Sequence, residues 1–124
     1  PHGSAFEPIL VRNYVTIDNT PESPANYALC YSCHDRDSIL RNDSFDEHDK
    51  HIVGEDTPCN VCHAPHGISS TQGTDTNNSN LINFDTSIVS PSPTNGQLRF
   101  VDNGLFQGSC DLLCHGENHD PLSY

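Results

Sequence analysis

The chain has 124 residues, five Lys and Arg against 17 Asp and Glu, and a formal net charge of −12. That length suits one domain, and so large an acid excess argues against nucleic acid and anionic membranes as partners. Apolar residues make up 33% of the chain, and counting Gly in place of Tyr gives roughly 36% against a norm of about 45–50%, so side chains alone would make a thin core.

Read in chain order, the sequence predicts short helices joined by loops. It opens on Pro1-His2-Gly3, echoed at Pro65-His66-Gly67. Each copy precedes a cysteine pair, so the echo reads either as a decayed repeat or as a chance three-letter match. The chain opens without Met and with no visible leader, as expected of a processed or trimmed form. Ser23-Pro24 starts a helical turn running to Cys33. The longest apolar run, residues 27–31, is five residues long, too short to span a bilayer. Ser44-Phe-Asp-Glu47 fits a capping box, predicting a helix over residues 45–53 that Gly54 stops. On it Phe45, His48 and His51 share one face at i, i+3 spacing, with Ile52 adjacent. Thr57-Pro58 starts a further turn over residues 59–63. Residues 68–80 read as a polar loop. Residues 81–89 and 97–101 read as short extended segments around a Pro-rich turn at 90–95. Ser109 reads as the cap of a last helical turn.

The six cysteines fall as three pairs, each followed at once by histidine: Cys30-Tyr-Ser-Cys33-His34, Cys59-Asn-Val-Cys62-His63 and Cys110-Asp-Leu-Leu-Cys114-His115. C-x-x-C-H is the attachment site of c-type haem. Two thiols on one short turn add to the two vinyl groups of one porphyrin edge, and the next residue turns an imidazole beneath the iron. The third pair is a C-x-x-x-C-H variant. With eight His in 124 residues, three such histidines arise by chance in roughly 3 of 10,000 random placements. A zinc tetrathiolate of Cys30, Cys33, Cys59 and Cys62 is the main competitor, but it leaves Cys110 and Cys114 unused. A disulfide framework is weaker still, because cysteines this close in sequence rarely bridge each other. Three covalent c-type haems therefore account best for the motifs, and their porphyrins would supply the missing apolar interior. The expected fold is mostly irregular, with short α-helices wrapped around three haems and little or no β-sheet, as one trihaem domain over residues 1–124.

His34, His63 and His115 are the expected proximal ligands. No Met is present, which excludes His/Met ligation. His2, His48, His51, His66 and His119 remain as distal candidates, enough to saturate three irons with a second imidazole. Two imidazoles on opposite faces of one iron hold their Cα atoms roughly 12 Å apart, whereas three residues span at most ~10–11 Å. His66 therefore cannot close over the haem of His63, and His119 reaches the haem of His115 only if fully stretched. Each serves another haem or none. His51, twelve residues before His63, can loop over the same haem.

With these residues in view, the chain from about Tyr27 onward resembles the multihaem c-type cytochromes of the doubled C-x-x-C-H kind. The carrying residues are His48, His51, Cys59-Asn-Val-Cys62-His63-Ala-Pro-His66-Gly67 and the closing Cys114-His115-Gly116-Glu-Asn-His119. The resemblance implies closely spaced bis-His haems that pass electrons among redox proteins or to extracellular acceptors. It brings in His48, His51, His66 and His119 as ligand candidates; some members of this broad class form extracellular filaments. Haem attachment takes place outside the cytoplasm, so a cell-surface or extracellular location is expected, with the periplasm as alternative. The expected role is electron transfer rather than enzymatic catalysis. The competing reading is a multihaem oxidoreductase with one open iron acting on a small oxyanion. His2 has two readings of its own: ligation within its chain or a loose end, and ligation of an adjacent copy, which would build a ring or filament head-to-tail.

Overall fold

A computed structural model describes residues 4–6, 10–69 and 79–124. His2, the first copy of the Pro-His-Gly echo and most of the 68–80 loop lie outside the described residues. The chain divides into two compact units, Pro1–Pro58 and Cys59–Tyr124. Among the described residues no helix is long and apolar enough to cross a membrane.

In the first unit, residues 13–15 run alongside 26–29. Val15 N–H donates to the Asn26 carbonyl and Leu29 N–H to the Asn13 carbonyl, both at 2.9 Å. Ser23 caps the turn foreseen there, its Oγ accepting from Asn26 N–H at 3.1 Å. Tyr27 is fully buried and meets Tyr31 edge-on. The Tyr31 hydroxyl and Arg36 Nε both donate to Glu22 Oε1, at 3.0 and 2.9 Å. Arg36 holds the Glu22 carboxyl below the usual range, a pull that burial opposes. A short helix α1, Arg36–Leu40, follows; Asp35 caps it by accepting from Ser38 N–H at 3.0 Å.

The helix expected over residues 45–53 starts later and ends in a wider coil. A turn at His48 and Asp49 leads into a π-helical turn, Lys50–Gly54. Asn42 Oδ1 accepts from Asp49 N–H at 2.8 Å, taking the part assigned in sequence to Ser44. The shared face survives in part, since the Phe45 and His48 rings pack edge-on at 5.4 Å. Ile52 is buried.

The second unit begins with helix α2, Cys59–Cys62. Residues 79–81 form a 3-10 turn rather than the start of the expected extended segment, and the chain from there to Asp85 pairs along α2: Ala64 N–H donates to the Leu81 carbonyl, Asn83 N–H to Cys62 and Asp85 N–H to Val61, at 2.9–3.0 Å. The turn after Ser90 closes through Gly96 N–H to the Ser92 carbonyl at 2.7 Å. Three strands follow, β1 (Arg99–Gly104), β2 (Gln107–Cys114) and β3 (Glu117–Ser123), forming an antiparallel sheet in that order. One face of β2 packs Leu112, Cys110 and Cys114 toward Val61, Phe84, Val89 and Phe100. The Phe100 ring lies directly over Gly108, where a Cβ would sit 2.3 Å from it. Asp111, on the other face, is fully buried and paired with Arg99 at 2.6 Å, its partner across the strands.

The sheet overturns the expectation of little or no β-structure. Phe100, Cys110 and Leu112 turn inward while Arg99 and Asp111 turn to the other face, an alternation of period two. The connection of β2 to β3 is His115-Gly116, both at positive φ (49° and 84°), as tight hairpins demand. Reading the third cysteine pair as one helical turn hid both signals. Ser109 accordingly lies within β2 and caps no helix.

Candidate functional site

The first motif is a closed turn. Residues Cys30–Ser32 form a 3-10 turn, and the Cys30 carbonyl accepts from both Cys33 N–H (3.1 Å) and His34 N–H (3.0 Å). Cys30 is half-buried, while Cys33 and His34 are exposed. Two thiols and the following imidazole thus share one accessible turn.

The second motif is α2 itself. His63 N–H donates to the Cys59 carbonyl at 2.8 Å, closing the five-residue motif. Three residues of helix rise about 4.5 Å, so Cys59 and Cys62 stand on a single turn. The His63 ring bonds through Nδ1 to the Asn80 carbonyl at 2.8 Å. A carbonyl only accepts, so Nδ1 carries the proton and Nε2 the lone pair, the arrangement that orients a metal-binding imidazole. Burial pushes the Cys62 thiol up to about 12, with Cys110 and Cys114 adding to it. Burial likewise pushes Cys110 up to about 12, with Asp111 adding to it.

The third motif differs. Cys110 and Cys114 both lie in β2, where four residues at about 3.3 Å each separate their Cα atoms by roughly 13 Å. The even spacing turns both side chains to the core face, and His115 sits in the exposed hairpin turn. The first two motifs therefore fit a c-type haem as they stand, whereas the third does not: two thiols so far apart cannot meet one porphyrin edge.

The distal candidates scatter. His51 bonds through Nδ1 to the Glu47 carbonyl at 2.7 Å, which again leaves the lone pair on Nε2. His48 is half-buried against Phe45, and His66 is exposed in the turn after α2. His119 is buried in β3 opposite Leu112, with Nδ1 2.6 Å from the Tyr124 hydroxyl. His2 lies outside the described residues. The six thiols are unbridged, and among the described residues no three His, Cys, Asp or Glu converge as a metal-binding group.

The sequence reading missed the groups that anchor the histidines. The Asn80 carbonyl is 17 residues from His63, and no local pattern marks it. The Glu47 carbonyl follows from any helical turn that contains His51. Around these groups the cations are mostly engaged: Arg36 pairs with Glu22, Arg41 with Asp43, Lys50 with Glu47 and Arg99 with Asp111. That leaves an acidic surface.

Comparison with protein-family models, with characterised proteins and with solved structures finds no match for this chain.

Proposed function

We propose that the protein is an electron carrier whose covalently attached c-type haems are each held by two histidines. The supporting observation is the pair of closed turns, Cys30 to His34 and Cys59 to His63, each gathering two thiols and an imidazole onto one short stretch of backbone. Bound there, a haem supplies a one-electron iron couple. The chain's part is to fix the ring through Cys30 and Cys33 or through Cys59 and Cys62, and to offer the iron His34 or His63. At His63 the Asn80 carbonyl holds the imidazole so that Nε2 is the donating nitrogen.

Second imidazoles come from the remaining histidines, of which His51 is oriented in the same way by the Glu47 carbonyl. With no Met in the chain, imidazole on both faces fills the coordination sphere and favours a low potential. This suits transfer between partners better than reaction at an open iron. The charge of −12 favours partners with basic docking faces, and covalent haem attachment, which takes place outside the cytoplasm, supports a cell-surface, extracellular or periplasmic location.

Mass spectrometry of the denatured protein tests this reading. A mass exceeding the polypeptide by whole haem units, with Cys30→Ser/Cys33→Ser and Cys59→Ser/Cys62→Ser each losing one, is the expected result. A colourless protein of bare polypeptide mass would overturn it.

A further inference from the structure

We propose that Glu22 is a positioning residue for the first haem: its carboxylate fastens the Cys30–His34 turn at two points and sets a negative charge beside it that favours the oxidised iron. This rests on the haem reading above, at a motif whose residues fit the group.

Glu22 lies outside the motif but is bonded on both sides of it. The Tyr31 hydroxyl, nine residues on, donates to Oε1 at 3.0 Å, and Arg36 Nε, fourteen residues on, donates to the same oxygen at 2.9 Å. Arg36 Nη2 donates to Oε2, so the guanidinium grips the carboxylate with two parallel bonds. Between Tyr31 and Arg36 stand Ser32, Cys33, His34 and Asp35. One thiol and the proximal imidazole, both exposed, thus sit on a short span whose ends share one carboxylate.

The backbone closes the same frame. The carbonyl of Ser23, next to Glu22, accepts from Tyr27 N–H at 3.3 Å, and the Tyr27 carbonyl accepts from Tyr31 N–H at 3.0 Å. Tyr27 is fully buried and meets Tyr31 edge-on. Asp35 caps α1 by accepting from Ser38 N–H, which holds the backbone at Arg36 as well.

The Glu22 side chain is 6% exposed against 33% for Arg36. Water therefore screens the guanidinium more than the carboxylate, leaving the carboxylate the stronger source of field at the turn. Arg36 keeps the carboxyl below the usual range, so it is ionised at neutral pH. An oxidised haem iron carries one more positive charge than a reduced one. A nearby carboxylate stabilises that extra charge and lowers the potential.

Redox titration of the haem-loaded protein at neutral pH tests this, with the first haem identified as the component absent from Cys30→Ser/Cys33→Ser. At the parent's midpoint, the oxidised-to-reduced ratio of that haem should fall at least about threefold in Glu22→Gln and rise at least about threefold in Arg36→Gln. A purely structural fastening would move both variants the same way, since each breaks the same ion pair. Arg41→Gln, which removes a cation from the exposed pair with Asp43, should leave the ratio within about twofold. Denatured mass should show the same haem count in these three variants as in the parent. Shifts in one direction, no shift, or a shift in Arg41→Gln as large as in Arg36→Gln would overturn the proposal and leave the haem reading intact. If Glu22→Gln does not fold, Arg36→Gln decides alone: a rise in the ratio supports the proposal, and a fall or no change overturns it. A parent mass without haem at Cys30 and Cys33 would overturn the haem reading, and this proposal with it.

Discussion

His63 donates its Nδ1–H to the carbonyl of Asn80 at 2.8 Å, and Asn80 holds that carbonyl in place with a left-handed backbone, φ 56° and ψ 22°. The two facts are linked, because the carbonyl points at the ring only while the backbone keeps this conformation. Asn tolerates that region and Gly does too, whereas a β-branched residue does not. Asn80→Val should cost about 1–2 kcal/mol and shift the midpoint potential of one haem, while Asn80→Gly leaves that potential in place. Redox titration decides the matter: equal potentials in both variants would mean that the carbonyl does not tune the iron.

His51→Ala should convert one low-spin haem per chain into a high-spin haem that binds carbon monoxide when reduced. No Met exists in the chain to replace the lost imidazole. Carbon monoxide binding no greater than in the parent would remove His51 from the ligand set.

Glu22 gives the first unit an acid-sensitive tie. Its carboxyl is held below the usual range by Arg36, so the stabilisation is fully present above the ordinary Glu value of about 4.3. It fades as pH falls through the depressed value of the folded state. Arg36 is a third exposed, so solvent screens the pair and keeps the effect small. Thermal melts of the parent and Arg36→Gln should differ at neutral pH and converge in acid. A constant gap at every pH would show that the pair contributes nothing through ionisation.

Arg99→Ala should destabilise the second unit by about 2–4 kcal/mol. Asp111 is fully buried, and Arg99 Nε reaches it at 2.6 Å; once the guanidinium is gone, Asn95 Nδ2, also at 2.6 Å, is its remaining side-chain donor among the described residues. Adding Asp111→Asn should recover part of the loss by removing the buried charge. An unfolding free energy from denaturant titration within ~0.5 kcal/mol of the parent would place the carboxylate in contact with water.

How much of this was legible in the sequence varies by element. Ser23 and Gly54 announced their turns by residue type, and local hydrogen bonding carries them out. The cysteine pairs at 30/33 and 59/62 were legible as tight turns because a three-residue spacing closes within one helical turn. The sheet was missed because its alternation runs through residues already read as a haem motif, and Cys110 can serve both descriptions. Helix α1 rests on one cap, Asp35 onto Ser38, too slight a mark to notice beside a stronger motif. The anchors of His63 and His119 come from Asn80 and Tyr124, and a ring that finds its partner through the fold leaves no trace in local spacing.

Where the sheet ends also governs how copies of this chain meet. Between Cys110 and Leu112 the pairing with β3 shifts register, and the extra residue falls at Asp120 and Pro121. Pro121 has no N–H to offer a neighbour, and the bulge turns that edge out of line. A stranger's strand therefore finds no continuous ladder along β3 and cannot lengthen the sheet there. Association of copies at that edge must proceed through side chains rather than by backbone zippering, which would keep the chain from growing into amyloid-like stacks.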